Sequence, residues 1–300
     1  YKVDWQRLGE PAYFDSLRKA QRFLKNGLKT FETSYGMGKL NLVGQSHIDT
    51  AWLWPLRETR RKCGRTFSTV LNYMERYPEY VFIASQPVQY EWMRTHYPEQ
   101  YKRIKQRVKE GRWEPFGAMW VESDCNMPSG EALVRQLMYG NRFFRKEFGI
   151  HSPTAYLPDA FGYSWSLPQI LKKAQVDTFV TTKIRWSRFT EFPYSIFQWE
   201  GIDGTRILGM LPPLDYNGDS HPAECIKQWN LFRQKERFEE VPFPFGYGDG
   251  GGGPTTTMIE YAKRLGNIVG VPKCKIGRLQ DCIDRMKTQC AFEDLPVWND

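Results

Sequence analysis

The sequence predicts an α/β fold in which a parallel sheet is covered by helices, and two observations carry that expectation. Short apolar runs alternate with longer stretches of helical periodicity, and turn residues mark the boundaries. About seven such strand-then-helix units fit between Leu40 and Leu265, a number that favours a closed barrel over a small open sheet. In chain order, residues 12–31 read as helix, Leu40–Gln45 as strand and Glu58–Tyr77 as helix. Val81–Ala84 is a strand, Tyr90–Gly111 one helix, and Trp113–Trp120 a strand. Ser129 has the side chain of an N-cap for a helix that runs to Phe148. Ala155–Leu157 is a short strand, Leu167–Gln175 a short helix with Pro168 near its start, and Thr178–Thr182 is β-rich. Phe197–Leu211 reads as a hairpin turning at Asp203-Gly204. His221–Arg233 is helical, Pro244–Tyr247 ends a strand, and Thr255–Leu265 and Ile276–Thr288 are helices. The domain division expected is an N-terminal helical segment (1–36), a barrel (37–270) and the start of a linker or helical region (271–300).

The 300 residues are 41% hydrophobic and 25% charged, which excludes wholesale disorder. No run of 18 apolar residues is present, so neither a membrane helix nor a membrane partner is expected. The chain opens on Tyr1-Lys2-Val3-Asp4-Trp5 without an initiator Met or an apolar leader, and is expected to begin inside a longer protein. The six cysteines form no C-x-x-C pair. That spacing disfavours a zinc ribbon and points to reduced thiols and a cytoplasmic location. The formal charge of +8 comes from stretches such as Lys102–Arg112, where basic residues mix with Glu99 and Glu110. Mixed charge of this kind reads as a solvated helix face, and no nucleic-acid-binding motif accompanies it, so no nucleic-acid partner is expected. Aromatic residues make up 15% of the chain, and many stand beside Pro or Gly, as do Trp54, Trp113 and Phe161. They suit either a cleft for sugar rings or a large aromatic core.

In a barrel of parallel strands the chemistry sits at the C-terminal strand ends. The first such end reads Gln45-Ser46-His47-Ile48-Asp49. In extended chain, His47 and Asp49 point to the same side, which makes either half of a divalent-metal site or a hydrogen-bonded pair that fixes a loop. A second end reads Leu157-Pro158-Asp159-Ala160-Phe161-Gly162. Asp159 there is a candidate metal ligand, nucleophile or turn cap. The third, Gly248-Asp249-Gly250-Gly251-Gly252-Gly253, lacks the ending of a phosphate-binding loop. Its glycines leave room for a ring-shaped ligand to approach Asp249. Two carboxylates at one mouth, Asp159 and Asp249, suit glycoside hydrolysis.

Four motifs together resemble the α-mannosidases of glycoside hydrolase family 38, in the branch with cytosolic and bacterial members. They are H-I-D-T-A-W-L-W-P (47–55), P-D-A-F-G-Y-S (158–164), F-P-Y-S-I-F-Q-W-E-G-I-D-G-T-R (192–206) and G-Y-G-D-G-G-G-G-P-T (246–255). The resemblance implies a seven-stranded β/α barrel with one zinc ion, replaceable by cobalt, and an α-mannoside oligosaccharide as substrate. By family pattern His47, Asp49 and Asp159 are zinc ligands, Asp159 is also the nucleophile, and Asp249 is the general acid/base. Trp52 and Phe161 line the sugar subsite, Lys183 supports the nucleophile, and Asp124 is a further pocket candidate. The family's fourth zinc ligand is a histidine beyond the barrel. Here His96 and His151 read as solvated and His221 as opening a helix, so that ligand is expected past residue 300, as are a helical bundle and β domains. Three ligands hold zinc less firmly than four, which leaves the chain's own activity open, along with the oligomeric state of its parent. The rival readings are a metal-dependent carbohydrate deacetylase, which calls for more histidines, and a sugar-binding module without turnover.

Overall fold

The computed structural model describes residues 3–28 and 37–299. Helix α1 (Pro11–Leu28) realises most of the expected N-terminal helix; residues 29–31 of that expectation lie outside the described residues. Next come β1 (Lys39–Gly44), α2 (Leu56–Arg76), β2 (Phe82–Ala84), α3 (Pro87–His96), α4 (Pro98–Lys109), β3 (Trp113–Pro115) and α5 (Gly130–Phe148). The chain continues through β4 (Thr154–Tyr156), α6 (Leu167–Lys173), β5 (Thr178–Val180), β6 (Ile196–Glu200) and β7 (Arg206–Met210). It ends with α7 (Pro222–Leu231), β8 (Glu240–Phe245), α8 (Thr256–Arg264), β9 (Lys273–Ile276), α9 (Leu279–Lys287) and β10 (Val297–Trp298). Among the described residues no helix is long and apolar enough to cross a membrane.

The strands pair as two sheets in a mixed α/β fold. The first runs β3-β2-β1-β8, with β9 also on β1, and every pair in it is parallel. The second runs β10-β6-β7-β5-β4, parallel except for the β6–β7 hairpin. Two isolated parallel bridges, Cys125 to Tyr163 and Gly218 to Phe245, join chain from opposite sheets. β1 is the most heavily paired strand: β8 follows its whole length, β9 its first four residues, and β2 meets its last. Leu40–Gly44 are accordingly buried, as both-faced burial of a parallel strand requires. Much of the core between sheet and helices is aromatic. The Trp113 ring lies edge-on to Phe67, 5.0 Å away, and its indole N–H donates to the Tyr90 hydroxyl at 2.9 Å.

Three departures from the sequence expectations have physical causes. The single helix expected over 90–111 is two, because Pro98 lacks an N–H and excludes the helical conformation at Tyr97, whose φ and ψ are −137° and 59°. The strand expected over 113–120 stops at Pro115, where its register with β2 runs out at Ala84; one further backbone bond, from the Phe116 N–H to the Ala84 carbonyl, follows. Ahead of the last helix, Lys273–Ile276 form β9 on β1, a pairing four residues give no local sign of. Helix α9 then starts at Leu279, where the buried Glu114 carboxylate accepts the Leu279 and Gln280 N–H groups at 2.8 and 3.1 Å. A bidentate pair from Arg285 to Glu240 (2.8 and 2.7 Å) fastens the same helix to β8. The Ser129 cap is as expected, its hydroxyl accepting the Ala132 N–H.

In mid-α5, a Cβ on Gly140 would lie 2.2 Å from the Ala118 carbonyl oxygen. Helix propensity alone would reward Gly140→Ala by about 1 kcal/mol. Contact with fixed backbone reverses the sign, and a net loss of about 1–2 kcal/mol is expected in urea unfolding. A variant as stable as the parent would show that α5 can move off the 118–120 segment.

Candidate active site

Past β1 the chain leaves regular structure, and His47 turns inward with its side chain 4% exposed. The segment is held from outside by the Gln86 and Gln89 amides, which both donate to the Ile48 carbonyl, at 2.9 and 3.1 Å. His47 Nε2 faces Asp49 Oδ1 at 3.2 Å and Asp159 Oδ2 at 3.3 Å. Its Nδ1 faces Glu122 Oε2 at 2.7 Å. Asp159 arrives from the turn after β4, and its backbone N–H donates to the other oxygen of Glu122. Burial opposes charge on His47, but the Glu122 and Asp49 carboxylates more than offset it and hold the imidazole well above its ordinary pKa.

Opposite Asp159 stands Lys183, on a 3-10 turn (Lys183–Trp186) after β5. Its ammonium lies 2.8 Å from Asp159 Oδ1 and 3.7 Å from Asp215 Oδ2. Three rings surround it, Trp186 at 3.5 Å, Tyr216 at 4.7 Å and Phe161 at 5.1 Å. The Tyr216 hydroxyl donates to Asp249 Oδ1 at 2.6 Å, and the Asn217 amide donates to Asp249 Oδ2 at 3.3 Å. Burial, then the bond to Asp249, push the Tyr216 phenol far above its usual range, with Asp159 adding to the shift. Tyr216 thereby stands between the two carboxylates that the sequence singles out.

The glycine-rich loop has a tighter purpose than clearing space for a ligand. A Cβ on Gly248 would sit 2.3 Å from the Tyr216 ring, and one on Gly251 2.7 Å from Ile48. The Gly251 N–H donates to the His47 carbonyl at 3.1 Å. The glycines let the Asp249 loop close on the protein's own strand end and on the tyrosine that orients Asp249.

Asp49, Glu122, Asp159 and Asp215 gather around one ammonium and one imidazole, with Asp249 reached through Tyr216. Four carboxylates, most of them only partly exposed, against two cationic side chains favour a further cation. His47, Asp49 and Asp159 each offer a ligand atom, all within 4.8 Å of one another, a nitrogen–oxygen set suited to a divalent first-row metal. Glu122 on Nδ1 leaves Nε2 as the ligating nitrogen, the usual carboxylate–histidine arrangement behind a metal. If this set holds a divalent metal, Glu122→Gln is expected to weaken its binding by about 10- to 100-fold in a calorimetric titration. Unchanged affinity would show that Glu122 does not orient His47.

The other expected residues divide: Phe161 stands beside the Lys183 ammonium, whereas Trp52 and Asp124 make their contacts elsewhere. Trp52 is 64% exposed and stacks edge-on with Trp54, while Phe161, 59% exposed, meets Trp186. Asp124 is exposed and accepts the Asn126 and Met127 N–H groups through Oδ1, at 2.7 and 2.9 Å. Glu122, two residues earlier, reaches the cluster instead. His151 bonds Arg145 and the Gln175 carbonyl, His221 caps α7, and His96 is exposed at the end of α3. Sequence reasoning misses Glu122, Asp215, Tyr216 and Asn217; the only signal for the last three is a polar L-D-Y-N stretch just after a strand.

The family model for the N-terminal domain of glycosyl hydrolases family 38 matches residues 37–300. Human alpha-mannosidase 2C1 is 43% identical over 260 residues, 86% of this chain and 25% of its own length. The alpha-mannosidase of Saccharomyces cerevisiae is 38% identical over 299 residues, 96% of this chain and 27% of its own. The chain thus spans about a quarter of the length of these curated relatives. In fold it is similar to the crystal structure of an alpha-mannosidase from Enterococcus faecalis, with a TM-score of 0.69 and 22% identity over 87% of this chain and 30% of that one. The motifs at the strand ends and the match over 37–300 agree, and the chain belongs to glycosyl hydrolase family 38.

Proposed function

We propose that this chain forms the catalytic part of a zinc-dependent, retaining α-mannosidase that hydrolyses terminal α-mannosidic bonds of oligosaccharides. The observation that carries the reading is the pairing of Lys183 with Asp159 inside the His47–Asp49–Asp159 cluster of a family 38 chain. One carboxylate is there both a metal-ligand candidate and salt-bridged by a buried ammonium. The two sheets are read as parts of a seven-stranded β/α barrel, with the site at its C-terminal mouth. Six thiols without a disulfide support a reducing, cytoplasmic setting.

His47, Asp49 and Asp159 would hold the zinc, with cobalt as an alternative, and a fourth ligand would come from elsewhere in a longer protein. When bound, the metal would supply Lewis-acid polarisation of the bound sugar's hydroxyls. Trp52 and Phe161 offer exposed rings against which the sugar packs. A carboxylate oxygen of Asp159 forms a bond to the anomeric carbon as the bond to the leaving oxygen breaks. That oxygen keeps the electron pair and takes a proton from Asp249. Tyr216 and Asn217 fix the direction from which Asp249 gives it. Asp249 then removes a proton from water, whose oxygen bonds to the anomeric carbon and releases the Asp159 carboxylate. Two inversions retain configuration.

Asp159→Asn is expected to lower turnover of aryl α-mannosides by at least about 1,000-fold. Asp249→Asn should cost roughly 100- to 10,000-fold on unactivated substrates, yet leave aryl mannosides with good leaving groups partly cleavable in the first step. Undiminished activity in Asp159→Asn would overturn the assignment. Metal analysis should find about one zinc per chain, lost in His47→Ala. Zinc in neither this chain nor a longer one would remove the metal from the scheme.

A further inference from the structure

We infer that Asp215 is a positioning residue that takes over the Lys183 ammonium when Asp159 gives up its charge, an inference resting on Asp159 as the nucleophile of the proposed reaction. The ammonium has three N–H donors and two carboxylates before it, Asp159 at 2.8 Å and Asp215 at 3.7 Å. The first is a close ion pair; the second is longer, yet within range of electrostatic attraction to an ammonium that is itself shielded from solvent. The Lys183 side chain is 2% exposed, so solvent does not compensate it.

Formation of the bond between Asp159 and the anomeric carbon turns a carboxylate into an ester. The negative charge leaves on the departing oxygen and is quenched by the proton from Asp249. A buried ammonium is then left facing a neutral group, a costly state unless a second anion is at hand. Asp215 is placed for this. Its Oδ1 accepts the Tyr216 N–H at 2.7 Å and lies 3.2 Å from the Thr182 hydroxyl, whose proton is shared with the Pro158 carbonyl at 2.7 Å. Its Oδ2 faces Lys183, and a shift of about 1 Å by the flexible lysine end brings the two to hydrogen-bond distance. The ring of Trp186, at 3.5 Å, stays beside the cation and favours it in either position. No proton changes hands between Lys183 and Asp215. The ammonium exchanges one partner for the other and returns when water restores the Asp159 carboxylate. A turn cap alone would need only Oδ1, which asparagine also offers, so Asp215→Asn removes the charge and leaves the cap.

The test is a double-mutant cycle of Asp215→Asn and Lys183→Met in the full chain, read by single-turnover cleavage of an aryl α-mannoside and by thermal unfolding. Asp215→Asn is expected to slow the first chemical step by about 10- to 100-fold, with KM changed less than about twofold. In the Lys183→Met background the same substitution should cost less than about threefold, because there is no ammonium left to receive. Equal losses in both backgrounds would overturn the inference, even if the melting temperatures are coupled, since that outcome describes a structural ion pair alone. If Lys183→Met does not fold, Asp215→Asn decides by itself: a fall in kcat at constant KM supports the exchange, and a rise in KM at constant kcat overturns it. A parent chain that binds zinc, unfolds cooperatively and cleaves no α-mannoside in any length of protein would instead sink the proposed function.

Discussion

A buried imidazole with a carboxylate on either side of its ring is the arrangement on which the rest of the site depends. His47 cannot sit among Glu122, Asp49 and Asp159 unless the segment after β1 is held in place and its position is fixed from behind. Two glutamines of α3 and its N-terminal flank do the holding, through one carbonyl. The triple pairing of β1 by β8, β9 and β2 does the fixing. Because Glu122 also accepts the Asp159 N–H, a single carboxylate sets the direction of two metal-ligand candidates that lie more than a hundred residues apart in sequence. The outer support therefore decides the geometry of the inner residues as much as their own backbone does.

The sequence was most legible where spacing alone determines direction. His47 and Asp49 meet because i and i+2 share a side in extended chain, and Asp159 is marked by a Pro on one side and Phe-Gly beyond it. Tyr97-Pro98 was legible as a helix break and should have outweighed the continuous helical periodicity around it. Glu122, Asp215 and Tyr216 were not legible, because each lies on irregular chain, where no period fixes which way a side chain points. β9 and β10 were illegible for a related reason: so few residues carry no pattern of their own and become strands because β1 and β6 offer free ladder groups.

The abundance of aromatic residues left two readings open, a core and a cleft, and the rings divide between them. Phe67, Phe82, Tyr90 and Trp113 are enclosed and meet edge to face within the first sheet's core. Trp52, Phe161 and Trp186 are more than half exposed, the last two beside the Lys183 ammonium. The neighbours decide which: the first group stands on or under strands and helices that cover it, the second on turns past the strand ends.

The glycine-rich loop constrains how this protein can diverge. At Gly248 and Gly251 every other amino acid would drive an atom into Tyr216 or Ile48. Single-residue replacement at those points is therefore costly, since an added side chain would push on Tyr216 or Ile48 and with them on the joint between the carrier of Asp249 and the segment that bears His47. New specificity would have to be drawn from the rim instead, where Trp52 and its neighbour Leu53, 84% exposed, can change without touching that joint.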